Sequence, residues 1–173
     1  MNKIIKKISQ IFFIATMPFL SSAQNPEGFE KMAKRMADKT VPIIKSLQVQ
    51  KLQEKGKKIV FLDAREIEEY TVSHIKNAIH VGYDYFNLNE TVSTLQNKDA
   101  TIVVYCSVGI RSEDIAEKLK KAGYTNVLNL YGGIFEWKNN NYNVFSSGGK
   151  ATEKVHTFSK EWSKWLLKGE KIY

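Results

Sequence analysis

Cys106 is the single cysteine of the 173-residue chain. It follows an apolar run, Ile102-Val103-Val104-Tyr105, with the length and β-branched content of a buried strand. Beyond it, Ile115, Ala116 and Leu119 recur with helical spacing, Ala122 follows, and Gly123 supplies a stop. Ser112 is placed to cap this helix, with Glu113 and Asp114 in its first turn. Cys106-Ser107-Val108-Gly109-Ile110-Arg111 must therefore turn the chain from strand to helix in little space. Such a loop directs its backbone N–H groups inward and makes a nest for an anion at the helix N-terminus. A thiol in that nest, close to Arg111, has the surroundings of a nucleophile. The competing reading is a buried, inert cysteine at a strand end. The glycine in the loop and the arginine at its end favour chemistry.

The segment from Val103 to Ser112, VVYCSVGIRS, resembles the active-site loop of rhodanese-like sulfurtransferases. The resemblance implies that Cys106 takes up a sulfane sulfur as a persulfide and hands it to a thiophilic acceptor. It implies that Ser107, Val108, Gly109, Ile110 and Arg111 bind the donor. Phosphatases and arsenate reductases of the same fold use the longer loop C-x5-R, whereas Cys106 and Arg111 make C-x4-R. The loop length thus implies sulfur transfer rather than phosphate chemistry.

Two more stretches carry the resemblance. Asp63, Arg65, Glu69 and Tyr70 match D-x-R-x-x-x-E-[FY], followed by Ser73-His74-Ile75-Lys76-Asn77-Ala78, which matches G-H-I-x-G-A with both glycines replaced. Leu130, Gly132, Gly133, Ile134 and Trp137 match x-L-x-G-G-[IF]-x-x-W. Asp63, His74, Gly132 and Gly133 are thereby implied as structural residues near the site. Arg65 has two readings, a structural ion pair with Asp63 or a place facing the substrate pocket. His74 is the tempting base for a Cys-His pair. The family uses this histidine structurally, and a persulfide mechanism needs no base once the cysteine attacks as a thiolate. Three scattered histidines and one cysteine give no metal-ligand spacing, so no metal and no cofactor is expected. Trp137 reads as core.

The elements that must position these residues follow from pattern. Val41 to Ile44 reads as an edge strand, and Ser46 as the cap of a helix from Leu47 to Glu54 that Gly56 stops. Ile59 to Leu62 is a buried strand, and Ala78 to Val81 a short one. Tyr83 to Lys98 is a polar connection with a helical turn or two. Asn126 to Leu130 is a fifth strand, followed by a helix from Ile134 to Asn140. This strand–helix order predicts an α/β fold, a rhodanese-like five-stranded parallel sheet with helices on both faces. Ligands bind such sheets beyond the carboxyl ends of the strands. Cys106, Arg65 and Gly132 all fall there.

The flanks read differently. Lys3, Lys6 and Lys7 precede an apolar stretch, Ile8 to Leu20, that Pro18 interrupts, and Ser21-Ser22-Ala23 supplies small residues. This pattern predicts a signal peptide over residues 1–23, cut after Ala23, and a periplasmic or secreted protein without stable membrane insertion after cleavage. An uncleaved anchor is the competing reading. Residues 24–40 predict a helix, with Phe29, Met32, Ala33 and Met36 on one face. Residues 41–145 form the expected catalytic domain. Residues 146–173 read as a linker and an amphipathic C-terminal helix, with Val155, Phe158, Trp162, Trp165 and Leu166 on one face. That helix packs on the domain, meets a partner protein, or lies on a membrane surface.

The formal net charge of +8 falls to +5 without the three lysines of the leader. The remaining lysines are spread out, which reads as a solvated surface and not a nucleic-acid site. The expected partners are a small anionic sulfur donor and a thiol acceptor. A lone thiol is a liability in an oxidising compartment, which argues for a use. The residues therefore point to an exported sulfurtransferase. The alternative is a non-catalytic binding or sulfur-carrier module working with a partner through its terminal helices.

Overall fold

The computed structural model describes residues 40–173. The expected signal segment and all but the last residue of the expected N-terminal helix lie outside them. Strands β1 (Ile43–Ile44), β2 (Ile59–Asp63), β3 (Ile79–His80), β4 (Thr101–Tyr105) and β5 (Val127–Leu130) form one parallel sheet in the order β1-β5-β4-β2-β3. Helices α1 (Ser46–Glu54), α2 (Ile67–Val72), α3 (Leu88–Leu95), α4 (Ile110–Lys121) and α5 (Gly133–Asn139) connect and follow these strands.

β4 lies at the centre of the sheet and is buried throughout. Its side chains alternate between two cores, as the strand period of two requires. Val103 and Tyr105 pack with Val49 of α1 and with Ile134 and Phe135 of α5. Ile102 and Val104 pack on the other face with Leu95 of α3 and with Ile115 and Leu119 of α4. The expected five-stranded parallel sheet with helices on both faces is the fold observed.

Ser46 does not cap α1. Lys45 holds the N-cap position, and the Gln48 side chain reaches back to accept from the Lys45 N–H at 2.9 Å. Ser46 turns inward and accepts from Asn140 Nδ2 at 3.3 Å. Gln48 is long enough to satisfy the orphan amide, so the short hydroxyl is free to pack.

The tail departs furthest from expectation. Residues 146–173 form no amphipathic helix. β6 (Val144–Phe145) and β7 (Ala151–Thr152) make a hairpin around the Ser146–Lys150 turn. β8 (Lys154–His156) pairs in parallel with β9 (Glu170–Ile172), and a 3-10 turn spans Trp162–Trp165. Val155 and Thr157 are β-branched and suit extended backbone. Phe158 then takes φ 64°, which ends any helical run. Four of the five apolar residues of the expected face still find the core. Val155 and Leu166 are fully buried, with Trp162 and Trp165 packed against the same cluster. Asn139, the last residue of α5, fastens the segment: its Nδ2 donates to the Trp165 carbonyl at 3.0 Å, and its Oδ1 accepts from Leu167 N at 2.7 Å. The ion pair of Lys138 with Glu153 at 2.8 Å adds a second tie.

Candidate active site

The cysteine loop runs from the end of β4 into α4 and rests on the start of α5. The Cys106 carbonyl accepts from Ile134 N at 2.9 Å, and the Ser107 carbonyl from Phe135 N at 3.2 Å. These two carbonyls cap the N-terminus of α5. With its first carbonyls committed on that side, the loop presents amides on the other. Gly109 N donates to Cys106 Sγ at 3.1 Å. Gly109, not Ser112, is the N-cap of α4, with φ 102°. The opening residues of α4 have amides without intrahelical acceptors, so the positive end of a twelve-residue helix faces the sulfur.

Ser112 has a different task from the one its position suggested. It is fully buried inside the first turn, its Oγ donates to Asn129 Oδ1 at 2.8 Å, and it lies 3.6 Å from Sγ. Asn129 Nδ2 donates to the Gly109 carbonyl at 2.9 Å and to Glu113 Oε2 at 2.7 Å. The side chain of β5 thereby pins the loop and the helix start beneath the sulfur. Neither Asn129 nor Glu113 was expected to shape the site. The clue in the sequence is one amide in an otherwise apolar buried strand, VLNL, where an unpartnered amide would be costly.

Arg111 lies beside the thiol, and its charge is already matched. Its Nη1 is 2.8 Å from Glu69 Oε2, and its Nη2 donates to Glu69 Oε1 at 2.9 Å. Ser107 Oγ donates to Glu69 Oε1 at 2.8 Å and accepts from Arg111 Nη2 at 3.1 Å. Burial would raise the Glu69 carboxyl, but the Arg111 hydrogen bond and charge, the Arg65 charge and Ser107 together hold it below its ordinary value of 4.5. Burial would lower Arg111, but Glu69 and the neighbouring Cys106 more than offset this and hold it above its ordinary value. Glu69 entered the sequence reading only as a motif position; here it is the residue that locks the loop.

Arg65 does not face the pocket. It is fully buried, its Nη2 is 2.7 Å from Asp63 Oδ2 and donates to the Ser73 carbonyl at 2.6 Å. A buried guanidinium is kept only with a matched anion, and Asp63 at the end of β2 supplies it. The pair joins β2 to the segment carrying His74. His74 is itself structural in its contacts, with Nδ1 3.1 Å from the Tyr70 carbonyl and its ring stacked on Tyr70. Gly132 opens α5, and Gly133 passes directly under the cysteine loop. Trp137 is core, 4% exposed. Among the described residues, no group of three or more His, Cys, Asp and Glu side chains could hold a metal ion.

A cavity of about 180 Å³ opens over the sulfur. Cys106, Ser107, Val108, Ile110 and Arg111 form its floor, and Phe158 and Trp162 of the tail form its wall. The loop residues expected to bind a ligand therefore come together, Gly109 through its amide. The two aromatic residues were expected on a helix face and not at the site.

The family model for the rhodanese-like domain matches residues 46–140, more than half of the chain. The chain belongs to this family. A tRNA uridine(34) hydroxylase from Erwinia tasmaniensis is 42% identical over 81 residues, 45% of this chain and 23% of that protein. A probable adenylyltransferase/sulfurtransferase MoeZ from Mycobacterium tuberculosis is 34% identical over 82 residues, 47% of this chain and 21% of that protein. The chain thus spans less than a quarter of the length of these curated relatives. A solved Bacillus halodurans protein superimposes with TM-score 0.52 at 26% identity, covering 72% of this chain and 89% of that one. A thiosulfate sulfurtransferase from Pseudomonas aeruginosa shares the fold, with TM-score 0.57 at 22% identity over 80% of this chain and 25% of that one. In this rhodanese-like domain the aromatic wall of the cavity comes from residues beyond the matched segment.

The lock between Glu69 and Arg111 makes a prediction. Glu69→Gln keeps the shape but sets an amide N–H against a guanidinium, so stability should fall by about 2 kcal/mol at pH 7. The wild-type advantage is full above pH 4.5, the ordinary carboxyl value, and is lost as pH falls through the lower folded-state value. Urea midpoints of both proteins from pH 7 to pH 3 check this: the gap should close only at the acid end. A gap that is flat across this range would mean that Glu69 carries no charge-dependent role.

Proposed function

We propose that this rhodanese-like domain is an exported sulfurtransferase that works through a Cys106 persulfide. The observation that carries the reading is the Gly109 amide on Sγ at 3.1 Å, at the N-terminus of a long helix. That arrangement sets an N–H donor and the positive end of a helix against the negative charge that a persulfide would carry. Cys106 Sγ attacks the outer sulfur of a donor, the donor's sulfur–sulfur bond breaks, and the inner sulfur leaves with the electron pair. With thiosulfate the leaving group is sulfite. An acceptor thiol then attacks the outer sulfur of the persulfide and returns Cys106. The Mycobacterium relative, whose name includes a sulfurtransferase, supports the choice of chemistry. Export rests on the basic and apolar pattern of residues 1–23, and a mature chain beginning at Gln24 would be its test.

The alternative is a non-catalytic binding or sulfur-carrier module that engages a partner through its terminal helices. Its C-terminal half loses ground, because that segment forms short strands around a 3-10 turn, with Val155 and Leu166 buried against the domain.

The decisive experiment is intact mass of the purified protein after incubation with thiosulfate and, separately, with polysulfide. A gain of one sulfur atom, about 32 Da, that maps to Cys106 and is removed by a thiol is the expected result. No gain from either donor would sink the sulfurtransferase reading.

A further inference from the structure

The sequence left the anionic donor open among thiosulfate, polysulfide and a small persulfide, and the cavity over Cys106 is poorly suited to a small inorganic dianion such as the first. Its accessible wall is almost wholly apolar. Neither arginine offers spare charge: Arg111 is held two-pronged by Glu69, and Arg65 is buried on Asp63. The face of the Arg111 guanidinium is also occupied, with its carbon 5.3 Å from the centre of the Phe158 ring. A dianion entering here would lose water without gaining a free cation.

Phe158 is placed there at a cost. It is a bulky residue with φ 64°, a conformation that side chains with a Cβ avoid. Its N–H is taken by His156 Nδ1 at 3.1 Å, which stabilises the unusual backbone. Its ring is 56% exposed, so burial in the core does not explain the position. Trp162 is half-buried, on the turn that Asn139 fastens to α5. Strained backbone that holds an aromatic ring in the side of the Cys106 cavity is the pattern of a binding wall. A cavity of about 180 Å³ accepts a body near the size of one benzene ring.

We propose that the sulfur donor of this site is a small organic persulfide, R–S–SH, with an uncharged apolar R group, and that Phe158 and Trp162 determine this specificity. The inference rests on the sulfurtransferase reading above. The Cys106 thiolate attacks the outer sulfur, the Cys106 S–S bond forms, and the R–S to S bond breaks. The R–S sulfur takes the electron pair and the proton and leaves as R–SH. Cys106 is left as a persulfide anion, and no outside oxidant or reductant is needed. Transfer from the persulfide back to R–SH is the same step reversed, so acceptor thiols report on the same transition state.

The test compares two thiols with the same two-carbon reach, 2-phenylethanethiol and 2-mercaptoethanesulfonate. Protein loaded at Cys106 with polysulfide is mixed with each, and sulfur loss is followed by intact mass. Rates are normalised to those with a free small-molecule persulfide. Wild type should favour the phenyl thiol by about tenfold or more. Phe158→Ala and Trp162→Ala should bring that ratio toward one, and Phe158→Leu should retain most of it. Equal normalised rates in wild type would overturn the proposal. So would an unchanged ratio in Phe158→Ala with a native circular dichroism spectrum; that variant removes an exposed ring and keeps the core if Trp162→Ala misfolds. Failure to load Cys106 at all would instead count against sulfur transfer itself.

Discussion

Cys106→Ser is expected to keep the fold and lose sulfur acceptance, by roughly a thousandfold or more. The side chain is 1% exposed, and its sulfur accepts from Gly109 N and sits near Ser112 Oγ. A serine hydroxyl fits in the same space and can accept the same amide. The cost in stability should be about 1 kcal/mol, because little volume is lost and the new polar atom has partners at hand. The chemistry does not survive the exchange. An alcohol is not appreciably ionised near neutral pH, and its oxygen is a poor nucleophile toward a sulfane sulfur. Intact mass after incubation with polysulfide should show no gain, while the urea midpoint stays close to wild type. A gain of one sulfur on the variant would move the nucleophile elsewhere. With no second cysteine in the chain, it would remove the persulfide mechanism.

Gly133→Ala should be the most damaging conservative change to the scaffold, at roughly 4 kcal/mol. A Cβ at this position would run into the Cys106 carbonyl oxygen and lie 2.7 Å from the Ser107 carbonyl carbon. Both atoms are backbone, so no side chain can swing aside. The residue also has φ 55°, which costs a residue with a Cβ about 1–2 kcal/mol. Relief requires α5 and the loop to part, which breaks the bonds from Ile134 N to Cys106 O and from Phe135 N to Ser107 O. Each amide stranded in the interior adds about 1–3 kcal/mol. A thermal midpoint lower by about 10 °C, with slower sulfur loading, is the expected outcome. An alanine variant with wild-type stability would mean that α5 does not support the loop.

These two residues also mark where local pattern was a sufficient guide. Ile102 to Tyr105 is an apolar β-branched run, and a strand buried on both faces is the structure such a run adopts. The helical spacing of Ile115, Ala116 and Leu119 and the paired glycines at 132 and 133 were equally local. Together they placed Cys106 at the end of a central parallel strand, beside a second strand-to-helix turn. Short-range periodicity carries that information because each element must hide one face, whatever the rest of the chain does.

Capping was less legible. Ser46 and Ser112 both have the residue type and the position of an N-cap, and neither is one. Gln48 reached the amide at Lys45, and Asn129, distant in sequence, claimed the Ser112 hydroxyl. Which donor wins depends on geometry that residue type does not encode.

The charges and the tail needed the assembled chain. Arg111 read as a cation for a ligand and Arg65 as either that or the ion-pair partner of Asp63; each meets a carboxylate, and for Arg111 that partner lies 42 residues away on α2. The apolar spacing of Val155, Phe158, Trp162 and Trp165 suits a helix, and the tail instead folds as strands around a turn. β8 has to wait for β9, its paired residues sixteen positions later, to satisfy its backbone. The sequence by itself thus determined the sheet and the place of the cysteine at the end of its central strand. Tertiary contacts decided the charge around the sulfur and the aromatic wall above it, because partner choice across long separations is a property of the packed chain and not of any window of residues.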